Sequence, residues 1–249
     1  MIVHVLGTSQ DGGYPQIGCS EKCCNIAWNN SSSIRFPSCL ALVNPSTKRY
    51  WLFDVTPEVK AQVKMLESYE CSLAGVFITH AHIGHYMGII NFGLEVMNLS
   101  SIPVYVMPKM KSFLETNSIM NQLITNKNIE LFELSDGDYY HVDEAMIKPF
   151  NVPHRNELSE TVGFEIKSNK KTVIYLPDID SWDGWMDNLL PLIDSSDILF
   201  LDGTFFSKNE LKTRDISKIP HPSIIDTMDK LSDLDSDLKT KIHFIHYNH

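Results

Sequence analysis

The segment Thr79-His80-Ala81-His82-Ile83-Gly84-His85 follows directly on the apolar run Val76-Phe77-Ile78 and places three imidazoles within six residues. In extended backbone, side chains two apart point to one side, so His80 and His82 can converge on one ion where a strand ends. If the chain then turns into a helix, His85 returns near them from its first turn. Neutral imidazole ligates zinc, iron and similar borderline metals. The competing reading is a His-rich loop whose rings are satisfied by backbone. A buried strand running straight into His-x-His is costly without a metal, which favours the metal reading.

A site seeded this way needs further ligands, and the chain offers them at strand ends. His154 follows the run that closes with Val152-Pro153, Asp178 follows Val173-Ile174-Tyr175-Leu176-Pro177, and His246 ends Ile242-His243-Phe244-Ile245. Each is unremarkable singly; in this order around the His-x-His seed they form a pattern. A second cluster, Cys19 with Cys23 and Cys24, has spacing compatible with half of a structural zinc site whose remaining ligands would have to be histidines. A reduced, unliganded thiol cluster is the equal alternative. Cys39 and Cys71 sit among apolar neighbours and read as buried small hydrophobes.

These residues need strands and helices to position them. The first strand, Ile2 to Leu6, runs into a polar loop with Gly7, Gly12 and Gly13. That loop matches neither phosphate-binding spacing and reads as a wall of the site, with Asp11 as a polar contact. Cys39 to Val43 and Tyr50 to Phe53 form a hairpin ending at Asp54, a turn carboxylate or a supporting group. Thr56 as N-cap and Pro57 at the first helical position start a helix. After strand Ala74 to Thr79, Met87, Ile90, Leu94 and Met97 read as the core face of an amphipathic helix. A strand follows over Pro103 to Met107, then one helix from Pro108 to about Leu123. Strands at Ile129–Leu134, Ala145–Val152, Thr161–Lys167 and Thr172–Leu176 come next. A helix carrying Trp182, Trp185 and Leu189, strand Asp197–Leu201, helix Pro222–Leu231 and strand Lys241–Tyr247 complete the chain. No repeat or linker divides it, so residues 1–249 read as a single domain.

The 249 residues carry 21 basic and 31 acidic side chains, a net charge of -10, which argues against a nucleic-acid partner. No run approaches the roughly 20 apolar residues of a membrane span. Residues 1–8 lack the regions of a signal peptide. Five cysteines, an odd number and mostly clustered, fit a reducing compartment, so a cytoplasmic protein is expected.

The order of strand, Thr-His-x-His-x-x-His, lone His, Asp after a strand and late His resembles the metallo-β-lactamase superfamily over nearly the whole chain. The opening Leu6-Gly7-Thr8-Ser9-Gln10-Asp11-Gly12-Gly13-Tyr14-Pro15-Gln16-Ile17-Gly18-Cys19 resembles, within it, the branch of coenzyme PQQ biosynthesis protein B. So do Leu52-Phe53-Asp54-Val55-Thr56-Pro57-Glu58, Asp202-Gly203-Thr204-Phe205 and His221-Pro222-Ser223-Ile224. The related phosphodiesterases of phosphonate breakdown share the early Cys-containing loop, where cysteines and a distant histidine hold zinc. The resemblance implies an α/β (α+β) fold, a four-layer αββα sandwich with metals at one edge of its two sheets. His80, His82 and His154 match a first metal position, His85 and His246 a second, and Asp178 the bridging carboxylate, with Asp180 its runner-up. One or two divalent ions are implied, zinc first and iron or manganese as alternatives, with an additional structural zinc at Cys19, Cys23 and Cys24.

Two departures stand out. Gly84 occupies the place where the superfamily usually has Asp, so the second position loses an anionic ligand and should bind more weakly. The PQQ proteins B have lost histidines that this chain keeps. The chain also stops at Tyr247-Asn248-His249, where related proteins usually continue. The expected activity is hydrolysis of a phosphodiester or ester-like small molecule by metal-activated water, with Asp178 and His85 as catalytic residues. Asp11, Asp54, Asp202 and His221 are candidate substrate contacts or supporting groups, and a homodimer is allowed for. Two alternatives stay open: an oxidative, iron-dependent enzyme acting on a peptide or quinone precursor, and a metal-carrying protein without turnover.

Overall fold

Cys39-Leu40-Ala41-Leu42-Val43 is buried at every position, as an apolar run without alternation requires when neither face meets solvent. It belongs to the first of two compact units, Met1–Ser135 with Glu157–Glu160 and His249; the second is Asp136–Asn156 with Thr161–Asn248. The computed structural model describes residues 1–210 and 219–249.

In the first unit six strands follow one another across a sheet: β1 (Ile2–Gly7), β2 (Cys39–Asn44), β3 (Arg49–Phe53), β4 (Ser72–Phe77), β5 (Ile102–Val106) and β6 (Ile129–Glu133). β1 to β3 are antiparallel and β3 to β6 parallel. The expected hairpin is β2–β3. Helix α1 (Lys22–Asn29) precedes it, and α2 (Val59–Lys64), α3 (Ile83–Tyr86), α4 (Pro108–Thr116) and α5 (Ser118–Thr125) provide the crossovers that parallel strands need. Met110, Leu114, Met120 and Leu123 of the last two join Ala41, Leu52, Val76 and Val104 in one buried cluster.

Three expectations need correction here. Thr56 does not cap α2 directly: its hydroxyl accepts the Glu58 N–H at 3.1 Å, making a turn that delays the helix to Val59. The helix expected from Pro108 to Leu123 is two, because the Asn117 side chain accepts the N–H groups of Ile119 and Met120 and caps a new start. Met87, Ile90, Leu94 and Met97 do not form a core face either. Residues Met87–Phe92 wind as a tighter 3-10 helix, burying Ile89 and Phe92 and leaving Leu94 63% exposed. Gly88 permits the close packing of this segment: a Cβ there would lie 2.1 Å from the Thr56 carbonyl oxygen. Cys39 is buried as expected, while Cys71 is half-buried against the core.

The second unit holds β7 (Tyr140–Val142), β8 (Ala145–Asn151), β9 (Val162–Lys167), β10 (Thr172–Leu176), β11 (Ile198–Asp202) and β12 (Ile242–Ile245), again in sequential order. β7 to β10 are antiparallel and β10 to β12 parallel. Helices α6 (Met186–Ser195), α7 (Ile224–Lys230) and α8 (Ser236–Lys239) accompany the parallel half. Trp182 and Trp185 lie ahead of α6 rather than within it, and they pack with Leu189, Ile193, Ile174 and Leu201. Each unit thus supplies a mixed sheet with helices, the α/β class expected. Open α/β sheets place chemistry at the carboxyl ends of parallel strands. Asp54, Thr79, Asp178, Asp202 and His246 all lie there.

Candidate metal centre

In the first unit, β4 gives way after Phe77 to Ile78-Thr79-His80-Ala81-His82, and His82 is the N-cap residue of the one-turn helix α3 that carries His85. The fully buried carboxylate of Asp54, just past β3, organises this stretch. Its Oδ1 accepts the Thr79 N–H and hydroxyl, each at 2.9 Å, and its Oδ2 accepts from His85 Nδ1 at 2.8 Å. With its proton committed to Asp54, Thr79 Oγ1 accepts from His80 Nδ1 at 2.9 Å. The network therefore fixes both rings as Nδ1–H tautomers, whose Nε2 carries the lone pair. His80 Nε2 lies 2.9 Å from His82 Nδ1. Two nitrogens about 2.1 Å from one ion are about 3 Å apart, so this separation suits a shared cation. Ser159 adds a support that sequence reading missed: its hydroxyl accepts the Ala81 N–H at 2.9 Å, holding the backbone between the two ligands.

In the second unit, Asp202 at the end of β11 is equally buried. Its Oδ1 accepts the Thr204 N–H at 2.9 Å and hydroxyl at 2.7 Å, and its Oδ2 accepts from His221 Nδ1 at 2.6 Å. Thr204 Oγ1 then accepts from His246 Nδ1 at 2.8 Å. His154 Nδ1 faces Asp180 Oδ1 at 2.9 Å. The rings of His154 and His246 both direct Nε2 towards Asp178 Oδ1, at 3.8 Å and 3.5 Å. Asp180 thus stands at ion-pair distance from His154, while Asp178 is the carboxylate that faces two imidazoles.

Electrostatics separates the histidines. Burial holds the His154 pKa below the ordinary value against the pull of Asp178, which keeps the ring neutral and ligand-like. Burial presses His221 down too, but the charge and hydrogen bond of Asp202 outweigh it and leave its pKa raised. His221 is therefore the better proton-bearing donor, although donor atoms of His154, Asp178 and His221 all lie within 4.8 Å of one another.

A third cluster lies within the first unit, where donor atoms of Cys19, Cys23, Cys24 and His249 all fall within 4.8 Å of one another. Cys23 and Cys24 sit on α1, and the Gln16 N–H donates to Cys24 Sγ at 3.3 Å. Burial pushes the Cys24 thiol up to about 11, with that hydrogen bond opposing. The sequence pointed to histidine as the missing ligand type but not to position 249.

The family model described as a beta-lactamase superfamily domain matches residues 42–246. The chain belongs to the beta-lactamase superfamily. Among curated relatives of this superfamily member are the coenzyme PQQ synthesis proteins B of Methylorubrum extorquens and Nitrosococcus oceani. The first is 22% identical over 237 residues, covering 85% of this chain and 75% of the relative. The second is 22% identical over 250 residues, covering 88% and 78%. Among solved structures, zinc-bound PqqB from Methylobacterium extorquens superposes with a TM-score of 0.83 at 20% identity, over 100% of this chain and 89% of that one. A diphosphatase of the PhnP family gives a TM-score of 0.70 at 19% identity, covering 98% and 85%. The short form of human tRNase Z gives 0.64 at 16%, covering 100% and 93%. These likenesses show the metallo-β-lactamase fold. No helix among the described residues is long and apolar enough to cross a membrane.

Proposed function

We propose that residues 1–249 act as a single metal-dependent hydrolase domain on a phosphodiester or ester-like small molecule. One observation carries this reading: buried histidines in both units have Nδ1 fixed by a carboxylate or a carboxylate-anchored threonine, the support that metal-ligating imidazoles characteristically have. The donor set of imidazoles and one carboxylate fits zinc, with iron and manganese as alternatives.

The proposed ligands are His80, His82 and His85 in the first unit and His154, Asp178 and His246 in the second. A bound divalent cation supplies Lewis acidity, activating water near neutral pH and polarising the scissile group. Asp54 and Asp202, acting through Thr79 and Thr204, keep His80 and His246 from turning. Asp178 would orient the attacking water, and His85, its Nδ1 held by Asp54, would serve the leaving-oxygen side only as a ligand of a second ion. His221, held as a donor by Asp202, contacts an anionic substrate oxygen. The support for a hydrolytic reading includes the diphosphatase and tRNase Z neighbours, which share the fold.

Mutating His82 to Ala should abolish metal content and hydrolysis of model phosphodiesters together, read by elemental analysis and a chromogenic assay. Unchanged stoichiometry in H82A would sink the assignment. We also assign a structural zinc to Cys19, Cys23, Cys24 and His249, a set of the Cys₃His type. C23S should lose one zinc equivalent and unfold at lower temperature while the remaining folded fraction keeps its turnover. A cysteine cluster arranged as zinc ligands supports a reducing, cytoplasmic setting.

A second reading is favoured by the curated relatives, whose name places them in coenzyme PQQ synthesis. On it the same ligands hold iron for an oxidation. Iron after anaerobic purification, with oxygen uptake on adding a quinone precursor and no hydrolysis, would select it over the first. Full metal content with neither activity would leave a metal-carrying protein.

A further inference from the structure

Gly84 is where the superfamily pattern leaves this chain without an acidic ligand, and the structure shows what fills the space. A Cβ added at Gly84 would lie 2.2 Å from Asp11 Oδ1, 2.5 Å from its Cγ and 2.8 Å from its Cα. Contacts below 3.0 Å essentially never occur for a real Cβ, so any side chain at 84 and Asp11 in its present place exclude each other. Asp11 comes from the loop after β1. The loop is held by the Gly13 N–H donating to the Gln10 carbonyl at 2.9 Å and by Gln10 Nε2 donating to Gln16 Oε1 at 3.0 Å. Its carboxylate therefore enters the volume that the first atoms of an aspartate at 84 would take.

The carboxylate also points at the right atom. Asp11 Oδ1 lies 3.2 Å from His85 Nε2, the nitrogen opposite the one that Asp54 engages at 2.8 Å. Donors about 2.1 Å from one ion at angles between octahedral and tetrahedral are about 3.0–3.4 Å apart. A nitrogen and a carboxylate oxygen at that spacing make one edge of a coordination shell.

We propose that Asp11 supplies, from the loop after β1, the anionic ligand that glycine at 84 lacks, forming the second metal position with His85. The inference rests on the metal-dependent reading above. The acid has moved from the helix turn to a facing loop, and glycine at 84 is the condition for that move. The competing account makes Asp11 only an ion-pair partner of His85. It predicts the opposite result, because removing such a partner leaves metal uptake unchanged or improves it.

The test uses the purified full chain, stripped by chelator and reloaded with Zn²⁺ or Mn²⁺, with stoichiometry from elemental analysis and affinities from calorimetry. D11N should bind one of the wild-type equivalents at least tenfold more weakly, as loss of a charged ligand implies. The exchange D11G/G84D, which returns the acid to the helix turn and clears Asp11 Cγ, should regain affinity relative to D11N. Only a small shift of the residue-11 backbone is needed for it. D11N with wild-type stoichiometry and affinity overturns the proposal, as does a folded D11G/G84D protein that binds no better than D11N. Wild type that takes up no metal beyond the equivalent lost in C23S removes the metal-dependent reading itself, whereas normal wild-type uptake matched by D11N removes only the role of Asp11.

Discussion

Asp54 in the first unit and Asp202 in the second are both fully buried at strand ends, and each accepts from the amide and hydroxyl of a threonine and from one histidine Nδ1. Each threonine then accepts from the Nδ1 of a second histidine, His80 or His246. The bonding pattern is the same, but its assembly differs. In the first unit both histidines belong to the short segment that follows β4. In the second, His221 comes from the connection between β11 and β12 and His246 from the end of β12, and they meet because those strands are parallel neighbours. A buried carboxylate must find several donors to be tolerated. The donors can be local or distant as long as one strand end holds the acid.

The largest effects should come from removing the two acids. D54A and D202A each strand several buried donors and should lower unfolding free energy in urea by about 3–5 kcal/mol. D54A should be the worse by about 1 kcal/mol, because Asp54 sits at φ +67, where alanine is less tolerated than aspartate. A greater loss in D202A would break the equivalence of the two frameworks.

D180N comes next. It removes the carboxylate charge 2.9 Å from His154 Nδ1 and should weaken metal binding about 10–100-fold by calorimetry. No change would mean that His154 is oriented by packing alone. The smallest effects are expected from T79V and T204V, each about 1–2 kcal/mol in denaturant. They should weaken metal binding alike if the threonines are equivalent relays, and unequal values would show which unit depends more on its hydroxyl.

Legibility followed the same division. His80, His82 and His85 stood out because strand geometry puts residues two apart on one side and one helical turn brings back the third. The β2–β3 hairpin and most strands were legible for the same local reason. The apolar spacing of Met87–Met97 fits a regular helix, whereas the structure winds Met87–Phe92 as a 3-10 helix with Gly88 packed against the Thr56 carbonyl, a contact that spacing along the chain does not encode. Asn117 divides what apolar spacing reads as one helix, because its side chain accepts the Ile119 and Met120 N–H groups.

Residue types and their spacing already specify the chemistry on offer: imidazoles at strand ends, acids at strand ends, thiols in a cluster, and glycine at 84. Those follow from residue type and from spacings of a few residues, where covalent geometry leaves little choice. Which acid stands beside which histidine follows from the folded arrangement. It set Asp180 on His154, Asp202 on His221, His249 beside the cysteines, and Asp11 in the space that Gly84 leaves. Such pairings depend on crossovers and loop paths, which spacing along the chain does not encode.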